Sequence, residues 1–133
     1  GESRGAAPRS FTVEVMAVVW FEIPVLDLAR AVAFYEAVLG VPLERRVMDG
    51  HDMAVFLEPV GAVGALAHGD SYVPSLDGCR VYFDVADAEQ VLDRAVAAGG
   101  RVLYPVTEVE PGIRVAEFAD CEGNRIAVSS GSA

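Results

Sequence analysis

Long apolar runs are missing from this chain. No stretch approaches the roughly 18 residues that a bilayer-spanning helix needs; the longest, around Val15 to Phe21, is strand-sized. The opening residues Gly1 to Ser10 carry Arg4 and Arg9 but no apolar h-region, so they do not read as a secretory signal. They read instead as part of a loose leader over residues 1–15, and a cytoplasmic location is the default expectation. Cysteine is scarce: Cys79 and Cys121 form no CxxC and no zinc spacing. In a reducing compartment both thiols are expected to be buried, inert and unpaired. Positive charge is also in deficit. Ten Lys and Arg face twenty Asp and Glu, a formal net charge of −10. That argues against nucleic acid as a partner, because phosphate binding needs a basic surface. It favours a cationic small molecule, although acidity also serves solubility alone. No GxSxG, P-loop or GxGxxG occurs; Gly61-Ala62-Val63-Gly64 belongs to a hairpin, not a phosphate cradle.

What remains is globular. Apolar residues make up 53% and charged residues 23% of 133 residues, enough for one compact domain or two small modules sharing a core. A repeat decides between these. Shifting the chain by 60 residues pairs Phe21–Leu43 with Val81–Leu103 without a gap, with identities at Val25/Val85, Asp27/Asp87, Ala37/Ala97, Gly40/Gly100 and Leu43/Leu103. Each copy opens on a β-prone run, Val18–Val25 or Arg80–Val85. Each continues with an Asp that can accept hydrogen bonds from the free N–H groups of a helix start, Asp87 having Gln90 in capping-box position. A helix follows, with Leu28, Val32, Tyr35 and Leu39 on one face of the first and Ala88, Val91, Leu92 and Ala95 on one face of the second. Gly40 and Gly99–Gly100 end the helices, and strands resume at Val41–Val47 and Arg101–Val106. Glu58 to Leu66 then matches Asp120 to Val128 as strand, tight turn, strand.

The pattern predicts an α+β fold of two tandem βαβββ modules, at residues 16–68 and 79–129, joined by a linker at 69–78 and followed by a short tail at 130–133. A longer hairpin around Gly112 absorbs the two extra residues of the second copy. A ferredoxin-like fold also alternates helices and strands, but three strands after each helix argue against it.

The run Trp20-Phe21-Glu22-Ile23-Pro24-Val25-Leu26-Asp27-Leu28, continuing through Phe34-Tyr35 to Leu39-Gly40, resembles the opening of the vicinal oxygen chelate superfamily, which includes glyoxalases, bleomycin-resistance proteins and dioxygenases. The closing Phe118-Ala119-Asp120-Cys121-Glu122-Gly123-Asn124 is similar to that family's F-x-D-P-E-G-N hairpin, with Cys121 in place of the usual Pro. The resemblance spans Met16 to Ser129 and implies a mixed sheet curled around a cleft, helices outside. It also implies where a metal would be held: early in the first strand and late in the last strand of each module, by His or Gln and by Glu. Carried onto this chain, those positions fall on Trp20, Ala65, Arg80 and Ala127. Trp and Ala offer a divalent cation no lone pair, and Arg carries the wrong charge. His51 and His68 lie in loops or at strand ends and cannot complete a His/Glu set. No metal and no other cofactor is therefore expected.

Strand side chains alternate faces. With Trp20 in the cleft, Glu22 joins it while Phe21, Ile23 and Val25 face the helices; in the second module Arg80, Tyr82 and Asp84 share the cleft face and Val81, Phe83 and Val85 pack behind. Phe118 as core leaves Glu117 facing the cleft, with Arg125 also near it. Trp20 and Tyr82 would give a ring flat apolar contact, and Arg80 would grip a carboxylate or phosphate. An equally good reading makes Trp20 core filler and pairs Arg80 with Glu22 or Glu117 merely to neutralise a buried charge. Arg45-Arg46 reads as a solvated strand end. Two functions stand side by side. One is a metal-free protein that binds a small organic ligand, cationic or aromatic, as a homodimer. The other is a glyoxalase-like lyase or isomerase with Glu22 or Glu117 as catalytic base and Arg80 stabilising an oxyanion. A membrane is not an expected partner.

Overall fold

The computed structural model describes residues 17–57 and 61–131. The expected leader at 1–15, the start of the first-module hairpin at 58–60 and the end of the tail lie outside the described residues.

The elements follow in the order β1 (Phe21–Pro24), α1 (Leu28–Leu39), β2 (Leu43–Met48), β3 (His51–Phe56), β4 (Gly64–Ala67), β5 (Val81–Asp84), α2 (Ala88–Ala97), β6 (Arg101–Glu110), β7 (Ile113–Ala119) and β8 (Arg125–Ser130). They build two four-stranded sheets, β1-β4-β3-β2 and β5-β8-β7-β6. The outer pair β1/β4, like β5/β8, is parallel, and the other neighbours are antiparallel. The same βαβββ topology thus occurs twice, as the repeat predicts. No helix among the described residues is long and apolar enough to cross a membrane.

The helix starts form as the sequence suggests. Asp27 accepts from the backbone N–H of Arg30, and Asp87 from that of Gln90. Gly40 closes α1 in the left-handed conformation at φ 74°, where a Cβ would be strained. The buried face of α1 is Leu28, Ala31, Phe34, Tyr35 and Val38; the expected Val32 and Leu39 are only half-buried flanks of it. Phe34 and Tyr35 pull the face round because both rings fill the space between the modules, Phe34 against Phe118 and Tyr35 against Phe56 and Phe83. In α2 the expected Ala88, Val91, Leu92 and Ala95 are all buried.

Three expectations need correction. The first strand begins at Phe21, not Val18, because ladder pairing starts at Phe21 with Gly64; Val18 and Val19 are 88% and 82% exposed. Strand β6 runs on to Glu110, well past Val106, as an edge strand with register shifts, and its edge position accommodates Pro105, which has no N–H to give a ladder. Strand β8 likewise continues through Ser130, one residue into the expected tail.

One core unites the modules. Ile23 of β1 and Val25 just after it, Leu66 of β4, Phe118 of β7, Ile126 and Val128 of β8 and the inner faces of both helices form a single buried cluster, with Phe21, Phe83 and Val85 against it. The alternation expected for β1 and β5 therefore holds, and the opposite faces of the sheets are left for a site.

Candidate functional site

On the face away from the helices, the first module is mostly apolar. Met53, Val55, Ala65 and Ala67 are buried there, and Trp20, Met48, Leu57 and Tyr72 pack on them. Glu22 stands on the same face, directly beside Ala65 in the parallel ladder. Its carboxylate accepts from Trp20 Nε1 at 3.0 Å and from the Tyr72 hydroxyl at 2.6 Å. The hydrogen bond to Glu22 is the main reason the Tyr72 pKa lies above the ordinary phenol value, which keeps Tyr72 a donor at neutral pH.

The second module carries an ionic cluster in the equivalent place. Glu117, 6% exposed, is held by Arg125 at 2.6 Å and by Arg80 at 3.2 Å. Phe118 is fully buried on the other face, as expected. Tyr82 lies beside Ala127, which in turn pairs with Glu117, so phenol and carboxylate share a face. Tyr82 is 53% exposed, the Arg80 side chain 49% and that of Arg125 25%.

The linker joins these halves. Tyr72 reaches Glu22, Ser75 donates its N–H to Asn124 Oδ1, and the Leu76 carbonyl accepts from Arg125 Nε. Sequence reasoning missed Tyr72 because nothing local marks a linker residue as a neighbour of a first-strand carboxylate. A groove of about 330 Å³ lies here, lined by Glu22 on one side and Arg125 on the other. A larger cavity, about 1070 Å³, follows the seam between β1 and β5. Trp20, Arg80 and Tyr82 line it, as do Leu39, Phe56 and Val91 from the helix side. The structure thus brings Trp20, Arg80 and Tyr82 to one cavity and Arg80, Glu117 and Arg125 to one ion cluster. Glu22 belongs to the Trp20–Tyr72 cluster.

The positions that the family resemblance assigns to a metal do not fit one. Ala65 and Ala127 are fully buried with no side-chain donor atom, and Arg80 brings a positive charge where a cation would sit. No group of three or more His, Cys, Asp or Glu side chains among the described residues could hold a cation. His51 Nδ1 lies 2.9 Å from the Asp49 carbonyl and its ring meets Tyr72 edge-on; His68 Nδ1 lies 3.1 Å from the Val25 carbonyl. The thiols depart from the expectation in part. Cys121 is half-buried, its pKa pushed up to about 11 by desolvation and then by Asp120, so it is unreactive. Cys79 is exposed, in the link just before β5.

The F-x-D-x-E-G-N turn between β7 and β8 clasps the first module. Glu122 accepts from the backbone N–H groups of Leu26 and Asp27 and from Arg30, while Asn124 donates to the Pro24 carbonyl. Glu122 supplies a two-oxygen acceptor and Asn124 both an acceptor, for the Ser75 N–H, and a donor, which is a physical reason for the motif.

A search of curated proteins finds no match. Among solved structures, a hypothetical protein from S. aureus superposes with a TM-score of 0.62 at 22% identity, covering 84% of this chain and 94% of the other. A glyoxalase/bleomycin resistance protein/dioxygenase family enzyme from Burkholderia phytofirmans superposes at 0.62 and 15% identity, covering 88% and 100%. A glyoxalase I variant from Zea mays reaches 0.64 at 19% identity, covering 84% of this chain and 46% of that longer one. At such identities the likeness speaks to fold alone. The family model of the Glyoxalase/Bleomycin resistance protein/Dioxygenase superfamily matches residues 17–128, and with the doubled βαβββ topology this places the chain in that superfamily.

Proposed function

We propose that this chain is a metal-independent, small-molecule-binding member of its superfamily, taking an aromatic organic molecule into the cleft between Trp20 and Tyr82. The observation that carries this reading is the seam cavity, whose volume of about 1070 Å³ suits a drug-sized ligand and whose rim holds an indole and a phenol. Titration of the intrinsic fluorescence of Trp20, the single tryptophan, with a panel of aromatic compounds tests it. A saturable change that weakens in Tyr82→Ala supports the reading; no saturable change with any aromatic compound overturns it. Two-fold pairing over the exposed Val102 and Val109 of edge strand β6 would give the homodimer that belongs to this reading.

The metal-free lyase or isomerase reading needs a free carboxylate base. Both oxygens of Glu22 and both of Glu117 already accept hydrogen bonds, from Trp20 and Tyr72 and from Arg125 and Arg80. Each carboxylate is thus already held by two donors, and Glu117 lies between two guanidiniums, an arrangement that suits a fixed structural charge and favours binding over turnover. Turnover of a glyoxalase-type substrate that Glu22→Gln or Glu117→Gln abolishes would reverse this preference.

A further inference from the structure

We infer that the ligand of the seam cavity is an amphipathic anion, an aryl carboxylate whose acid group is held by Arg80 and whose ring enters the seam. The inference rests on the binding reading above and adds the charge and orientation of the ligand.

Arg80 combines three properties. Its guanidinium is half-exposed, it lines the cavity, and among the described residues its recorded partner is Glu117, reached through Nη1 at 3.2 Å. Glu117 is shared with Arg125, so the cluster holds two guanidiniums for one carboxylate. The excess positive charge therefore falls on the exposed member. A guanidinium presents five N–H donors in a planar fork, and one bond to Glu117 leaves most of them for a second carboxylate.

The acidic residues of the cavity lie elsewhere along its lining, as does Arg94, which comes from the last turn of α2. Asp84 shares the strand face of Arg80 but stands four residues on, about 13 Å away along an extended strand. Asp87 at the same end already accepts from the Gln90 N–H. Between the two ends the wall is apolar, with Phe21 and Phe83 at a ring separation of 5.8 Å. The overall charge of −10 would favour a cation, but charges spread over the surface are screened beyond about 8–10 Å at physiological ionic strength. A directly bonded guanidinium outweighs them at contact.

Calorimetric titration with three probes of one ring system tests this: naphthoate, naphthylmethanol and naphthylmethylammonium. Naphthoate is expected to bind about ten- to a hundredfold more tightly than either partner, the range for a hydrogen bond to a charged group. Arg80→Gln should bring naphthoate down to the level of naphthylmethanol. Added salt should weaken naphthoate but not naphthylmethanol in the wild-type protein, a measurement that needs no variant. Equal affinities for the three probes, tighter binding of the cation, or salt-independent naphthoate binding overturns the anion assignment while leaving the binding reading intact. No heat with any probe, together with unchanged Trp20 emission, overturns both.

Discussion

The Tyr35 hydroxyl on α1 donates to the Asp120 carboxylate 2.5 Å away, so a side chain of the first module is bonded to the closing turn of the second. Tyr35 is fully buried; desolvation, then the Asp120 charge, raises its pKa well above the ordinary phenol value, and it remains a donor. Asp120 also accepts from the N–H groups of Glu122 and Asn124 and from the Asn124 amide. Tyr35→Phe removes the bond and keeps the ring. It should lower stability by about 1–3 kcal/mol, the cost of leaving a buried acceptor short of a donor, with an unchanged urea m-value. A change under about 0.5 kcal/mol would mean that water replaces the hydroxyl.

Glu122 predicts a pH dependence of known sign. Its burial alone would raise the carboxyl pKa, but the bonds from Arg30 and from the Leu26 and Asp27 backbone, with the Arg30 charge, hold it below the ordinary range. A depressed folded-state pKa contributes stability that is fully present above the unfolded value, about 4.3, and is lost as pH falls through the folded value. Wild-type protein should therefore melt above Glu122→Gln at neutral pH, and the gap should narrow below about pH 4. A gap that is the same at both pH values would assign the effect to shape and not to charge.

Metal addition should leave the melting temperature unchanged. The ligand positions hold Trp20, Ala65, Arg80 and Ala127, so Ni²⁺, Zn²⁺, Mn²⁺ and Fe²⁺ have no donor set to stabilise. A stoichiometric metal in chelator-free protein, or a rise of several degrees, would contradict the metal-independent reading.

Gly100 is fixed by contact. A Cβ there would sit 2.4 Å from the Ala119 carbonyl oxygen and 3.0 Å from that of Ala95, which accepts the Gly100 N–H. Both obstacles are backbone, so neither can swing away. Gly100→Ala should cost about 2 kcal/mol or more, while Gly78→Ala, with nothing within 4 Å, should be near neutral. Chemical denaturation of the two variants side by side provides the comparison.

The doubled fold was legible because each of its signals is local. Asp27 and Asp87 cap where they stand, Gly40 turns where it stands, and the period-2 alternation sends Ile23 inward and Glu22 outward. The hairpin between β2 and β3, where Asp49 and Gly50 both take positive φ, went unread, although Asp-Gly is a strong two-residue turn signal. Strand alternation put Arg80 on the cleft face with Glu22 or Glu117 as its partner; that the partner is Glu117, shared with Arg125, is set by the ladder between strands and was not legible. What stayed hidden depends on how the modules meet. Tyr35 reaching Asp120 and the seam cavity behind Trp20 and Tyr82 need the relative position of two units, and Tyr72 reaching Glu22 needs the path of the linker back over the first module; no local period encodes either. Val18 and Val19 misled for the opposite reason: their β-propensity is real, but among the described residues no ladder partner is paired with them.

The two halves of the cleft descend from one pattern yet hold different chemistry, Trp20 and Glu22 in one and Arg80 and Tyr82 at the matching places in the other. Two unaltered copies would accept a guest equally well in either of two directions related by the repeat axis. Divergence at these positions abolishes that degeneracy. Under the binding reading, the fused chain would tell its guest's head from its tail, a discrimination that two identical modules meeting across a two-fold axis are forbidden by symmetry to make.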